Sequence, residues 1–237
     1  MNPQREDMFR ELGLAPVWRL KSRPTDQGME GDAERAGKNV QALAETRPAV
    51  MEMDWTQLGE AVSTCTRCEL HRTRTQGVIG VGDRNADWLI IGEAPGADED
   101  AQGEPFVGQA GKLLDAMLAA IGLKRGENVY IANVLKSRPP NNRNPQPEEV
   151  TACLPYLERQ IQLIQPKLIL ALGRFAAQNL LNTEETIGRL RGRVHQRQGV
   201  PLIVSYHPAY LLRTPADKAK AWEDLCLARA TIVSIES

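Results

Sequence analysis

Four apolar stretches of strand length each run straight into a loop of polar, glycine and proline residues. Trp88 to Ile91 leads into Gly92 to Gly96, Val129 to Ala132 into Asn133 to Pro140, Leu168 to Ala171 into Leu172 to Arg174, and Leu202 to Ser205 into Tyr206 to Pro208. Short continuous apolar runs suit strands buried on both faces, which is the environment of a parallel sheet covered by helices. Helical patterns lie between them. One starts near Trp55, a second spans Val107 to Ile121, and a third begins at Pro145 and Pro147 with Glu148 and Glu149 in its first turn. Arg174 to Leu181 and Pro215 to Ile232 complete the set. This alternation predicts a three-layer α/β/α domain around a central four-stranded parallel sheet. Sheets of this kind bind ligands outside the carboxyl ends of their strands, so Glu93, Asn133 and His207 are expected around one pocket.

A length of 237 residues with 42% hydrophobic content accommodates one sizeable α/β domain and an appendage. The boundary falls near residue 50: residues 1–50 read as a poorly ordered extension and 51–237 as the domain. Within the extension, Phe9, Leu12, Leu14, Val17, Trp18 and Leu20 form a short amphipathic segment. It suits either a docking peptide for a replication or repair protein, through residues 1–20, or a segment packed on the domain. With 29 Lys and Arg against 30 Asp and Glu, there is no global basic charge, and nucleic-acid binding would need a local patch. No apolar run is long enough to span a membrane and no signal-peptide pattern opens the chain, so a cytoplasmic protein is expected. Four cysteines in that compartment suit metal ligands or buried thiols better than disulfides.

The loops carry the chemistry. Gly92-Glu93-Ala94-Pro95-Gly96 is a tight turn but neither a phosphate-binding loop nor a dinucleotide fingerprint. Glu93 at a strand end suits the orientation of a water, Asp98, Glu99 and Asp100 read as a solvated acidic turn, and Phe106 offers either a stacking face or a core ring. Lys136, Arg138 and Arg143 on the second loop give a small phosphate-facing patch or an ordinary solvated cluster. The Asn133 amide both donates and accepts, as reading the edge of a nucleobase requires. On the fourth loop, His207 precedes Tyr210-Leu211-Leu212-Arg213, where two leucines suit a wedge between stacked bases and Arg213 a phosphate contact. Arg189, Arg191 and Arg193 form a second basic strip.

Cys65-Thr-Arg-Cys68, Gly92-Glu-Ala-Pro-Gly with Pro105-Phe-Val-Gly-Gln-Ala-Gly, Asn133-Val-Leu-Lys with Arg138-Pro-Pro-Asn-Asn-Arg-Asn-Pro, and His207-Pro-Ala-Tyr-Leu-Leu resemble, in this order, the motifs of family 4 uracil-DNA glycosylases. The resemblance spans roughly Asp54 to Ile232. It implies that uracil is flipped out of DNA and its N-glycosidic bond hydrolysed to leave an abasic site. It further implies Glu93 and His207 as catalytic groups, and Ala94, Glu99, Phe106, Asn133 and Asn142 around the base. Lys136, Arg138, Arg143, Arg191, Leu211, Leu212 and Arg213 would lie on the DNA. A 4Fe-4S cluster is implied as well, on Cys65, Cys68, Cys153 and a cysteine at the position that Ser137 occupies here. Ser137 or His71 would then be the fourth donor, and zinc or no metal stays open. Cys226 falls outside that pattern and reads as a buried thiol. Self-trapping relatives carry a histidine in the segment matching Asn142 to Pro145, so turnover is favoured here. Two other readings stand beside these: a non-catalytic binder of uracil or abasic DNA, and a glycosylase for another deaminated base. A monomer is expected.

Overall fold

The computed structural model describes residues 49–236, all within one unit, Leu43–Ser237. The amphipathic segment at 9–20 and the tether after it lie outside the described residues. Val50, at the expected boundary, is buried with Leu58, Val62 and Tyr156.

The sheet has six strands in the order β1-β3-β2-β4-β6-β5: β1 (Val81–Gly82), β2 (Trp88–Gly92), β3 (Val129–Asn133), β4 (Leu168–Leu172), β5 (Val194–Arg197) and β6 (Val200–Ser205). β3, β2, β4 and β6 pair parallel, and β1 and β5 add to the two edges in antiparallel fashion. The expected sheet of four is therefore enlarged to a mixed sheet of six. The additions escape an apolar-run criterion for physical reasons. β1 is two residues long, and β5 alternates exposed and half-buried positions as an edge strand with one wet face does.

Every residue of β2, β3 and β4 is buried, and alternate residues serve opposite layers. Leu89, Ile91, Ala132, Ile169 and Val204 pack on one face with α4 (Pro147–Ile164) and α5 (Arg174–Leu181), through Leu157, Ile161, Ala176 and Leu180. Trp88, Ile90, Ile131, Leu170 and Ile203 pack on the other with α3 (Gln109–Ala120) and α8 (Lys218–Glu236), through Leu114, Leu118, Leu225 and Ala228. Local signals set the helix ends. Asp54 and Gln57 exchange side-chain and backbone hydrogen bonds at 2.9 and 3.0 Å at the start of the first helix, Trp55–Ser63. Gln165 closes α4 in the left-handed conformation just before Pro166. No described helix is long and apolar enough to cross a membrane.

The register decides where side chains meet. Gly92 lies opposite Asn133, and Leu172 opposite Ser205, so the four parallel strands end together and release their loops on one edge.

Candidate active site

A cavity of about 440 Å³ opens on that edge, lined by Glu93, Ala94, Pro95 and Gly96 after β2, Asn133, Pro139, Asn142 and Arg143 after β3, and His207, Tyr210 and Arg213 after β6. Glu99, Phe106, Ala110 and Ala209 complete the wall. The strand-end rule thus gathers Glu93, Asn133 and His207 as expected. Gly92 makes room at the base of the cavity: a Cβ there would sit 2.4 Å from Asn133 Oδ1 and 2.6 Å from Phe106 Cζ. Backbone pairing continues past the strands, with Val134 N donating to Gly92 O and Leu135 N to Glu93 O, both at 3.0 Å, which fixes the carboxylate and the amide side by side.

Asn133 is buried, and its Oδ1 accepts no hydrogen bond. An orphan acceptor in such a place costs about 1–3 kcal/mol of lost hydration, so it marks a position meant for a donor from outside the chain. Burial makes the Glu93 carboxyl harder to ionise than an ordinary one, partly offset by the Arg174 guanidinium. His207 is pushed down to about 4, first by burial and then by Arg213, with Glu99 acting the other way. Its ring is therefore neutral near pH 7. Nδ1 accepts from Ala209 N at 3.1 Å, which leaves the proton on Nε2 as the ring's donor. Phe106 stacks on this ring with centroids 5.4 Å apart, its own backbone held at φ 56°. That conformation costs a β-carbon-bearing residue about 1–2 kcal/mol, and such strain belongs where surrounding contacts impose it.

The acidic turn is not solvated as expected. Asp98 to Asp100 lie in a short helix, α2 (Ala97–Gln102), with two of the carboxylates turned inward. Glu99 accepts from Gly96 N, Val107 N and Gly108 N at 3.0, 3.0 and 3.3 Å, joining the two glycine-rich segments. Buried Asp100 accepts from Thr75 N and Thr75 Oγ1.

Several residues expected on DNA are elsewhere. Lys136 is fully buried. Its side-chain nitrogen donates to Asn133 O at 2.7 Å, Gln160 Oε1 at 2.6 Å and Ile79 O at 3.4 Å, because the chain after β3 stays buried and paired, with Leu135 N donating to Glu93 O and Val78 N to Lys136 O. Leu211 is 1% exposed and packs in the α3/α8 core layer, whereas Leu212 beside it is 45% exposed and remains available as a wedge. Arg191 is taken up by Asp224 and Glu223, each at 3.0 Å, and by Lys220 O, so it serves the fold. Arg193 pairs with Glu185 on the surface. Arg138 donates to Asn142 Oδ1 at 2.8 Å, and Arg143 pairs with buried Glu149 through both terminal nitrogens while still lining the cavity. The sequence reading assigned no role to Arg174 or to Tyr210. Both follow strand ends, and Tyr210 is held by a stack on Tyr206 and a hydrogen bond to Asp217.

Away from the cavity, a side-chain hydrogen bond from Cys153 lowers the Cys68 thiol to about 6, and the same bond together with burial pushes Cys153 up. Tyr156 Oη donates to Cys65 Sγ at 3.3 Å. Cys226 is exposed on α8, correcting the expectation of a buried thiol. Ser137 is buried and its Oγ accepts from Arg74 Nη1 at 2.7 Å; His71 Nδ1 is engaged with Cys68 O at 2.7 Å. No group of three or more His, Cys, Asp or Glu among the described residues is arranged to hold a metal ion. Burial lowers Lys136 to about 7. In the same corner, Arg67 has three buried guanidinium nitrogens without hydrogen-bond partners and lies over the Tyr156 ring, with Cζ 5.5 Å from its centroid. Three thiols in cationic surroundings fit an anionic group such as a thiolate-bound cluster, while Ser137, already engaged, does not match a fourth thiolate.

Residues 79–226 match the family model described as the uracil DNA glycosylase superfamily. Over 162 residues the chain is 54% identical to a type-4 uracil-DNA glycosylase of Archaeoglobus fulgidus, covering 65% of this chain and 81% of the relative. It is 44% identical to that of Pyrobaculum aerophilum, covering 74% and 93%, and 41% identical to that of Thermotoga maritima, covering 79% and 97%. Matches of this extent, over the segment that builds the cavity, place the chain in the uracil DNA glycosylase superfamily, among the type-4 uracil-DNA glycosylases.

Proposed function

We propose that this protein is a DNA repair glycosylase that takes uracil from DNA into the cavity and hydrolyses the bond between uracil N1 and deoxyribose C1′, leaving an abasic site. The observation that carries this reading is the orphan Oδ1 of buried Asn133. An amide there accepts from uracil N3–H and donates to O4, whereas cytosine presents a lone pair at N3 and an amino group at position 4. Phe106 stacks on the base, and Ala94 and Asn142 close around it.

As the C1′–N1 bond lengthens, its electron pair moves onto the uracil and the sugar becomes cationic. The neutral His207 donates from Nε2 to O2, where the negative charge collects, at no cost in reorganisation. Glu93 orients a water for attack on C1′, faces the cationic sugar with its charge, and takes the proton released from that water. Leu212 fills the vacated stack, and Arg138, Arg143 and Arg213 lie towards the phosphates. DNA is the substrate partner, and no step needs a metal.

An iron–sulfur cluster is the cofactor that the cysteine corner supports best: Cys65, Cys68 and Cys153 would hold it, and the Arg67 guanidinium would offset its negative charge. It would order the loop from Asn133 to Pro145 and stay out of the hydrolysis.

Single-turnover release of free uracil from single- and double-stranded oligonucleotides, by excess protein without added metal, tests the activity. No release at enzyme excess would reject it. Release of hypoxanthine or of mismatched thymine in preference to uracil would reject the base assignment.

A further inference from the structure

We infer that Arg125, on the turn between α3 and β3, is a positioning residue for catalysis that acts by clamping Phe106 over the cavity; this rests on the glycosylase reading of that cavity. Arg125 Nη1 donates to Pro105 O at 3.0 Å, Nη2 to Phe106 O at 2.9 Å, and Nε to Asp115 Oδ1 at 2.8 Å. One planar guanidinium thus holds two successive carbonyls while a carboxylate from α3 fixes its plane. The same four-residue segment is also gripped by its amides, where Glu99 accepts from Val107 N and Gly108 N. Between the two grips sits the left-handed Phe106. Gly111, on the first turn of α3, admits the Phe106 carbonyl: a Cβ at that position would lie 1.7 Å from the oxygen.

These contacts explain how a strained aromatic residue keeps its ring against Gly92 and stacked on His207. Arg125 lies on the α3–β3 turn and does not itself line the cavity, and its guanidinium binds backbone oxygens alone besides Asp115. With the guanidinium gone, both carbonyls lose their donors and the segment relaxes to ordinary φ, carrying the ring off the base. Because stacking completes only with the base fully inserted, the loss falls on the chemical step and spares the encounter with DNA.

The test is a double-mutant cycle on uracil release under single-turnover conditions, with Arg125→Met and Phe106→Ala. Arg125→Met should slow release about 10- to 100-fold, the size expected for a misplacement on the order of 1 Å, with affinity for an abasic-site oligonucleotide changed less than about threefold. In the Phe106→Ala background, the same substitution should slow it less than about twofold further. Equal losses in both backgrounds would overturn the clamp, since they would mean that Arg125 acts by general stability or by another route. So would an Arg125→Met protein as fast as wild type. Should Arg125→Met not fold, Asp115→Asn replaces it, with a smaller loss that must likewise vanish in the Phe106→Ala background. Wild-type release of uracil, measured alongside, separates failure of the clamp from failure of the glycosylase reading.

Discussion

Asn133 and Lys136 are three residues apart on one loop, yet they belong to opposite kinds of site. At the cavity, groups are left incomplete: an amide oxygen without a donor, a carboxyl starved of water, a histidine kept neutral, a phenylalanine in a strained backbone. At the cysteine corner the groups are mostly engaged already: Ser137 with Arg74, Lys136 with Gln160 and two carbonyls, and Cys65 with Tyr156. What stays unmet there is the Arg67 guanidinium, whose three nitrogens have no hydrogen-bond partner. The first region is built for a guest that comes and goes, the second for a resident group or for rigidity. Substitutions in the two should therefore separate activity from stability.

The largest separation is expected at the cavity. Glu93→Gln and His207→Ala should each lower single-turnover uracil release by about 10²-fold or more, with DNA affinity within a few-fold of wild type. A parallel loss of affinity would dissolve the contrast by making these groups mere binding contacts. The converse holds under the loop. Gln160→Leu removes the shortest acceptor of a buried ammonium and should cost about 2–3 kcal/mol in urea unfolding, while the rate of the folded protein stays near wild type.

Acidity sharpens the comparison further. His207 binds its proton near 6.5 when unfolded but only at about 4 in the fold, so between these values the unfolded chain holds more protons. Stability is then lost as pH falls from about 6.5 to 4, by on the order of 3 kcal/mol, and His207→Ala should flatten that slope in thermal melts. Glu93 runs oppositely: its raised ionisation means that stability is lost as pH rises through its folded value, and the same ionisation should give the acid limb of the rate profile. Glu93→Gln should abolish that limb.

A smaller effect is expected at Ser137. Ser137→Cys should raise iron and sulfide retention and shift the melting temperature up by a few degrees, with uracil release unchanged. An iron-free wild type with full activity would end the cluster proposal. Smallest is Leu212→Ala, which should leave stability within about 0.5 kcal/mol and slow release from duplex more than from single strands.

The sequence disclosed the cavity well because one rule, the strand-end position in an open sheet, places Glu93, Asn133 and His207 without any knowledge of contacts. The longer helices were legible, as from the spacing of Leu113, Leu114, Met117 and Leu118 and from the prolines that start α4, whereas the short ones at Ala97–Gln102 and Pro208–Arg213 read as loops. What stayed hidden was direction. Lys136, Arg191 and Leu211 each have the composition of a DNA contact, and in each the deciding fact is a distant partner: Gln160, Asp224, or the core layer between α3 and α8. Phe106 carries no sign of its left-handed backbone, which Gly111 and Arg125 make tenable from outside its own segment.

The two edge strands have a consequence for how the chain survives outside its folded state. A central block of parallel strands assembles only after long stretches of chain have been brought together, and meanwhile its apolar edges invite strands from other molecules. Once β1 and β5 have added, the outermost strands are two residues long on one side and Val-His-Gln-Arg on the other, too short or too polar to template a neighbour. Refolding yield at high protein concentration should therefore depend on these two short edge strands more than on anything in the cavity.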